Sequence, residues 1–238
     1  MITKEVQLNR IQIVDEREPW AAQHGQVVVR WSLLLIKDGL PVLYVAQMED
    51  METRIYPESD LGPDYDWGDA AFATLGFGPG PVGVRSRVQA LCTAERTPLM
   101  LARWKVNNAI RTQAGLAVAK EELAALEGPS DLSLHQETRF NLAEVLADGQ
   151  VQIRLRKCIC ESGVVISPPQ YHRFVLAPGG NHVATMTTIN TAMARHEGTP
   201  ALPQGDIDRI ARICATDHTP QRIAAFQAAE AARRARGR

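Results

Sequence analysis

Two short segments of the chain combine histidine with charged neighbours, the residue types used in general acid–base chemistry. They are His172-Arg173 and Asp217-His218. Histidine exchanges protons near neutral pH, and a carboxylate can orient its ring. The sequence, however, has no Gly-x-Ser-x-Gly nucleophile motif and no His-Glu-x-x-His zinc motif. We therefore expect His218 near a helix N-terminus and His172 on a strand, both in structural roles, and we expect no catalytic residue.

Cys158 and Cys160 form a second candidate group, as a metal-binding or redox pair. On a strand their side chains point to the same face. Structural zinc sites usually separate paired cysteines by about two to four residues and need further ligands. No second cysteine pair follows in the sequence. The spacing therefore favours simple packing, and we expect neither a metal nor a cofactor.

The acidic segment "DLGPDYDWGD" is a third candidate, for Ca²⁺. Asp60, Asp64, Asp66 and Asp69 could supply the oxygen ligands that this hard cation takes. Their spacing does not match an EF-hand loop, which has ligands at alternate positions and a closing glutamate. The pattern favours a solvated acidic loop.

Composition excludes several classes of protein. The chain has 238 residues and a net charge of −1, which gives no argument for nucleic acid or an anionic membrane as a partner. Four cysteines at irregular spacing do not make a disulfide framework in a chain this long. The longest dense apolar run, "LLLI", is too short to span a bilayer. We expect reduced thiols, synthesis in a cytoplasm, and no specific binding to nucleic acid or membrane.

The elements that must position these residues are repeated along the chain. "RVQALCTAERTPLMLARWK" at 87–105 aligns without a gap to "RIARICATDHTPQRIAAFQ" at 209–227, and "GQVVVR" at Gly25 matches "GQVQIR" at Gly149. The matches keep one order and an offset of about 120 residues, which indicates an internal duplication. Cys92 and Cys214 fall at equivalent positions, which favours a role in the fold. We predict a first unit over 1–128 and a second over 129–238.

Each unit reads as a β-hairpin followed by two helices. Residues 25–36 alternate as a strand, and Asp38-Gly39 suits a tight hairpin turn. Thr97-Pro98 and Thr219-Pro220 are N-cap and first-turn residues, and each pair is predicted to start a helix. The predicted class is α+β, with two tandem copies of a hairpin plus helix-Thr-Pro-helix unit and helices packed on small antiparallel sheets.

The parts that the two copies do not share are the expected contact regions. Each unit has a long Gly/Pro-containing segment after its hairpin, and long loops in compact proteins are usually functional. The first strand is apolar on both faces, so we expect the other unit or another subunit to cover its second side. The matching face of the second unit is polar and is expected to be hydrated or hydrogen-bonded. The interface candidates are Val28, Leu34, Ile36, Trp67, Phe72 and Phe77.

The second unit carries a resemblance to a known group of proteins. "DGQVQIRLRKCICESGVVISPPQYHRFVLAPGG" followed by "ICATDHTPQRIAAFQ" resembles short proteins encoded among the structural genes of tailed bacteriophages. The resemblance is close over 148–227 and loose in the first unit, where Thr53 replaces His172 and Pro57-Glu58 stands for Pro178-Gly179. It implies a structural protein of the virion or its tail, and no catalytic residue.

The sequence thus leads to two functional hypotheses. The first is a non-enzymatic assembly component of a tailed-phage particle at the tail or its fibre attachment, which contacts other tail proteins, with self-association as a further option. Such a protein would be made in the host cytoplasm and located in the virion. The alternative is a small metal-binding or hydrolytic enzyme that uses the loop of the second unit together with His172, His182, His196 and His218.

Overall fold

The protein has an α+β fold, as the sequence predicted, and in each of two similar halves a run of strands is followed by a run of helices. The computed structural model describes residues 2–14, 26–38, 40–46, 51–57, 59, 61, 65–127, 134–161, 164–197 and 200–236. The strands are β1 (Ile2–Val14), β2 (Val27–Lys37), β3 (Leu40–Ala46), β4 (Glu52–Ile55), β5 (Leu134–Leu146), β6 (Val151–Glu161), β7 (Val164–Val165) and β8 (Gln170–Leu176). The helices are α1 (Asp69–Thr74), α2 (Val82–Glu95), α3 (Pro98–Thr112), α4 (Leu116–Glu127), α5 (His182–Glu197), α6 (Gln204–Asp217) and α7 (Pro220–Arg236).

All of these strands belong to one sheet. Its order is β3-β2-β1-β5-β6-β7, while β4 pairs with β2 and β8 pairs with β6. The sequence predicted small separate sheets, and the two sets of strands instead join where residues 10–14 of β1 pair antiparallel with residues 142–146 of β5. This pairing removes two free sheet edges at the centre of the molecule, where each would otherwise expose unpaired backbone groups.

The two halves are related by an approximate two-fold axis through the β1–β5 pair. Gln12 pairs with Glu144, and the register extends symmetrically on both sides of that pair. β1 and β5 each have 13 residues, and β2 and β6 each have 11. The ladder shifts register at Asn9 in β1 and at Asn141 in β5, the equivalent position. A shared bulge and shared strand lengths extend the repeat beyond the segments that align in sequence.

The hairpin turns and helix starts follow local sequence rules. Asp38 adopts a φ of 53° between β2 and β3, as a tight Asp-Gly turn requires. Thr97 caps α3 by accepting a hydrogen bond from the Met100 amide at 3.3 Å. Thr219 accepts from the Arg222 amide at 3.4 Å, and α7 begins at Pro220. Both Thr-Pro pairs therefore start helices where the sequence placed them.

Several elements were missing from the sequence interpretation. α1 begins in the acidic segment that was expected to be a loop, and β1 and β5 were not predicted as strands. Their burial does not alternate cleanly along either strand, because each strand contains a bulge that changes which face its residues occupy. Residues 182–197 were read as part of a loop and form α5. Asn181 caps that helix through the Ala184 amide at 3.0 Å, and four threonine hydroxyls along it hydrogen-bond to carbonyls four residues earlier.

The main core lies between one face of the sheet and the helices. Trp31 and Leu33 of β2, Ile153 of β6, Leu91 of α2 and Ile213 of α6 are all at most 1% exposed within it. Equivalent positions on α2 and α6 thus contribute equally to one cluster. None of the helices in the described residues is long and apolar enough to cross a membrane.

Candidate functional sites

The helices that carry the repeated motif meet along a buried line of ion pairs. On α2, Arg87 donates hydrogen bonds to both carboxylate oxygens of Asp217 on α6. On α6, Arg209 donates through Nε to Glu95 on α2 at 2.8 Å. Arg87 and Arg209 are equivalent in the repeat, and so are Glu95 and Asp217. The two bridges are therefore one contact made twice about the two-fold axis.

These ion pairs are shielded from water. The Arg87 and Asp217 side chains are 5% and 0% exposed. Arg87 also donates to the Leu146 carbonyl at 2.8 Å, and the Arg209 guanidinium lies 4.4 Å from the centre of the Phe140 ring. A buried charge is costly unless it is paired and hydrogen-bonded. The two buried ion pairs therefore fix how α2 and α6 align. Asp217 has this structural role.

His218 lies in a hydrogen-bonded network at the end of α6. Its Nε2 is 2.8 Å from the Gly149 carbonyl oxygen, and its Nδ1 is 3.0 Å from His182 Nε2. A carbonyl oxygen only accepts, so His218 carries its proton on Nε2, and its Nδ1 accepts from His182. His182 Nε2 is also 3.2 Å from the Ala177 carbonyl oxygen. The two rings thereby connect the β5–β6 turn, the end of β8 and the start of α5 to α6.

Cys214 adds a third ligand atom to this pair. It lies with His182 and His218 in a group whose ligand atoms are within 4.8 Å of one another. Burial raises the pKa of the Cys214 thiol to about 12. Burial also lowers the pKa of His218, with a further lowering from His182, so the ring is neutral. The nitrogens facing the centre are occupied by hydrogen bonds to each other and to backbone carbonyls, so in this structure the group links four elements.

The histidine-based alternative required four histidines to act together. The structure brings together His182 and His218. His172 lies on β8 opposite Leu155 of β6 and belongs to the sheet. The side chain of His196 lies outside the described residues.

The six interface candidates are buried within the chain. Trp67, Phe72 and Phe77 belong to the main core, where the Phe72 ring meets Trp31 edge-on at 5.7 Å. The other three candidates lie on the opposite face of the sheet and are also buried: Val28 is 2%, Leu34 is 4% and Ile36 is 7% exposed. Since these exposures refer to a single chain, the chain itself covers them. They form interior surface and are not free for a partner.

The acidic segment is held by internal contacts where it is described. Asp69 forms an ion pair with Arg85 at 2.6 Å. Asp66 accepts a hydrogen bond from the Gly68 amide at 2.8 Å. Asp60 and Asp64 lie outside the described residues. The two described aspartates therefore act as turn and bridge residues.

The polar face of the second unit contains a group that the sequence did not reveal. Cys158 and Cys160 point to the same face of β6, and their sulfurs are 3.7 Å apart. The neighbouring strand β5 places Glu137 opposite Cys158 and His135 opposite Cys160. The ligand atoms of His135, Glu137 and Cys160 lie within 4.8 Å of one another. Glu137 Oε1 is also 3.7 Å from Cys158 Sγ.

Arg156 gives this group a buried positive charge. The residue is 2% exposed, and its Nη2 lies 3.6 Å from Glu137 Oε1. Its Nε and Nη1 are buried and have no hydrogen-bond partner within the described part of the chain. This face was expected to be hydrated or hydrogen-bonded, and Arg154 on it donates through Nε to Asn141 Oδ1. Burial, together with the Glu137 carboxylate, raises the pKa of Cys160 to about 12.

The exposed surface has one further feature, along helix α7. Pro178 and one side of α7 line a groove of about 530 Å³. Phe226, Ala231 and Ala235 supply its apolar surface, with Glu230 and Arg234 beside them. No residue of α7 is buried. This helix therefore presents an amphipathic surface that the described chain does not cover.

Comparison with known proteins adds no assignment. The chain matches no protein-family model, no curated protein and no solved structure.

Proposed function

We propose that the protein is a non-enzymatic structural component of a tailed-bacteriophage particle, located at the tail or the fibre attachment and acting through protein–protein contacts. The single observation that supports the contact role is the open groove along helix α7, a helix with no buried residue. The assignment to a phage particle rests on the resemblance of residues 148–227 to phage structural proteins.

The equivalent helix of the first unit, α3, differs from α7 because it has buried residues. On α3, Met100, Ala102 and Ala109 are buried. α4 lies alongside α3, and Lys105 of α3 pairs with Glu122 of α4 at 2.8 Å. In the described residues of the second unit, no helix takes the place of α4. A second chain could cover α7 as α4 covers α3.

The chemistry of the groove suits a protein partner. Its apolar residues lie between charged ones, and a protein interface typically has an apolar centre and a polar rim. Arginine, here Arg234, is among the residues enriched at such interfaces. We therefore infer a partner that inserts an apolar side chain beside Phe226 and places an acidic group near Arg234.

Mass spectrometry of purified particles tests the proposal. We expect the chain to migrate with intact particles through a density gradient at a fixed ratio to other tail proteins. A double variant, Phe226→Glu with Ala231→Glu, should fold but be absent from particles. Ala228→Glu is the matched control, because Ala228 is an exposed residue of α7 outside the groove. Complete, infective particles that lack the chain would contradict the proposal.

A further inference from the structure

Three side chains on the polar face of the sheet, His135, Glu137 and Cys160, place their ligand atoms within 4.8 Å of one another, and the Cys158 sulfur lies beside them, 3.7 Å from Glu137 Oε1. His135, Glu137, Cys158 and Cys160 come from two paired strands, and each cysteine faces one of the other two residues across the ladder. The sulfurs are 3.7 Å apart. Two sulfurs bound to one tetrahedral zinc at about 2.3 Å each would be separated by about 3.8 Å. The sulfur spacing therefore already matches one edge of such a site.

The ligand types select the metal. Thiolates and imidazole are soft or borderline ligands, which suit Zn²⁺ and disfavour Ca²⁺ and Mg²⁺. Four protein ligands also fill a tetrahedral shell and leave no open position for water or substrate. We propose that His135, Glu137, Cys158 and Cys160 bind one zinc ion as a closed structural site that joins β5 to β6.

The buried Arg156 fits this site electrostatically. Zinc with two thiolates, one carboxylate and a neutral imidazole carries one net negative charge, which the guanidinium balances. Arg156 Nε and Nη1 have no hydrogen-bond partner among the described residues. Burial raises the pKa of the Cys158 thiol, and the charge of Arg156 partly offsets that rise. A metal-bound thiolate is a stronger acceptor than a thiol, so zinc binding would place more negative charge beside this guanidinium.

Binding exchanges protons for the metal. The zinc ion forms bonds to both sulfurs, and the two thiol protons leave to solvent, with no change in oxidation state. All four cysteines of the chain are free thiols in the structure. The site accordingly needs only a reducing environment and available zinc.

Metal analysis of the full-length chain tests the site. Purified under reducing conditions and dialysed after addition of zinc, the protein should retain one zinc per chain. Cys158→Ser and Cys160→Ser should each lose it. Cys92→Ser and Cys214→Ser remove the other two buried cysteines and are matched controls that should keep it. Wild-type protein that retains no zinc would overturn the proposal.

Cobalt substitution identifies the ligands. Co²⁺ in the site should give the visible bands of tetrahedral coordination and a thiolate charge-transfer band from two sulfurs. The Cys158→Ser variant should roughly halve the charge-transfer band, and Cys214→Ser should leave it unchanged. Bands that disappear in Cys214→Ser and persist in Cys160→Ser would assign the metal to the His182 and His218 group, against the proposal.

A carboxylate variant keeps the test valid if a cysteine variant fails to fold. Loss of even an outer partner of a metal site costs about 10–100-fold in affinity. Glu137→Gln removes a ligand while keeping its shape, so we expect the zinc dissociation constant to rise at least as much. An unchanged dissociation constant in folded Glu137→Gln protein would exclude Glu137 as a ligand and contradict the four-ligand site.

Discussion

The two units put different side chains at equivalent positions on the second face of the sheet. Leu34 and Ile36 of β2 correspond to Cys158 and Cys160 of β6, and all four are buried. In the first unit the residues across the ladder are Glu5, opposite Leu34, and Thr3, opposite Ile36. In the second unit Glu137 lies opposite Cys158 and His135 lies opposite Cys160. Both halves therefore place a carboxylate at this position, and only the second adds the thiols and the imidazole that give the group ligand chemistry.

The helices differ in a similar way. α3 has buried residues and a neighbouring helix, whereas α7 has no buried residue. The halves share the ion pairs between α2 and α6, the bulges and the Thr-Pro helix starts. These shared features maintain the fold. Duplicated positions therefore carry stability, and divergent positions are where partners or ions would bind.

The largest effect should come from breaking either of the symmetric ion pairs. Asp217→Ala and Glu95→Ala should each lower the free energy of unfolding by about 3–5 kcal/mol, because each leaves a buried arginine unpaired. Denaturant unfolding followed by circular dichroism measures the loss. Glu122→Ala is the control, since its pair with Lys105 is exposed and should contribute about 1 kcal/mol or less. A loss below about 1 kcal/mol for one of the two buried pairs would show that the halves are not energetically equivalent.

The next largest effect should be a difference between α3 and α7 in how much a truncated side chain lowers the free energy of unfolding. Met100→Ala in α3 should lower the free energy of unfolding by about 2–5 kcal/mol, because it leaves a cavity at a side chain that is 5% exposed. Phe226→Ala in α7 should cost no more than about 1 kcal/mol in the isolated chain, because solvent already reaches that residue. The same unfolding experiment compares the two. A larger loss for Phe226→Ala would mean that α7 is covered within the chain after all.

The helix caps should show the two units behaving alike. Thr97→Ala and Thr219→Ala each remove one side-chain hydrogen bond to a first-turn amide, and each should cost about 1 kcal/mol. The serine variants, which keep the hydroxyl, should remain near wild type. If the alanine variant at one site leaves the free energy of unfolding unchanged, the threonine cap there would not contribute to stability.

The smallest effect should be a pH dependence of folding stability that arises in the second unit. Burial lowers the pKa of His218 in the folded chain below its ordinary 6.5. Between these two pKa values the unfolded chain binds the extra proton, so His218 contributes stability that is fully present above about pH 6.5 and is lost as pH falls toward its folded pKa. Thermal melts across this range should show the loss, and His218→Gln should flatten it. The groups near this ring that also titrate or carry charge are His182, Asp217 and Arg87, and an unchanged slope in His218→Gln would assign the dependence to one of them.

Local chemistry made part of the fold predictable. The Asp38 turn, the Thr97 and Thr219 caps and the alternation of β2 each depend on a few neighbouring residues. The repeat and the α+β class followed from comparing such segments. β1 and β5 escaped prediction because bulges interrupt their alternation, and α5 because threonine-rich segments have a low helix propensity that its caps and side-chain bonds offset.

Local sequence patterns are enough to indicate two similar units, the starts of their Thr-Pro helices and the residues that recur. What those residues contact depends on how the elements pack. Arg87 and Glu95 lie on one helix, yet each pairs with the opposite unit, because equivalent helices pack about a two-fold axis. Cys158 and Cys160 seemed too few for a metal site, and the register of β5 against β6 supplied the missing histidine and carboxylate. Strand register is set by the whole sheet, so no local pattern could have shown it.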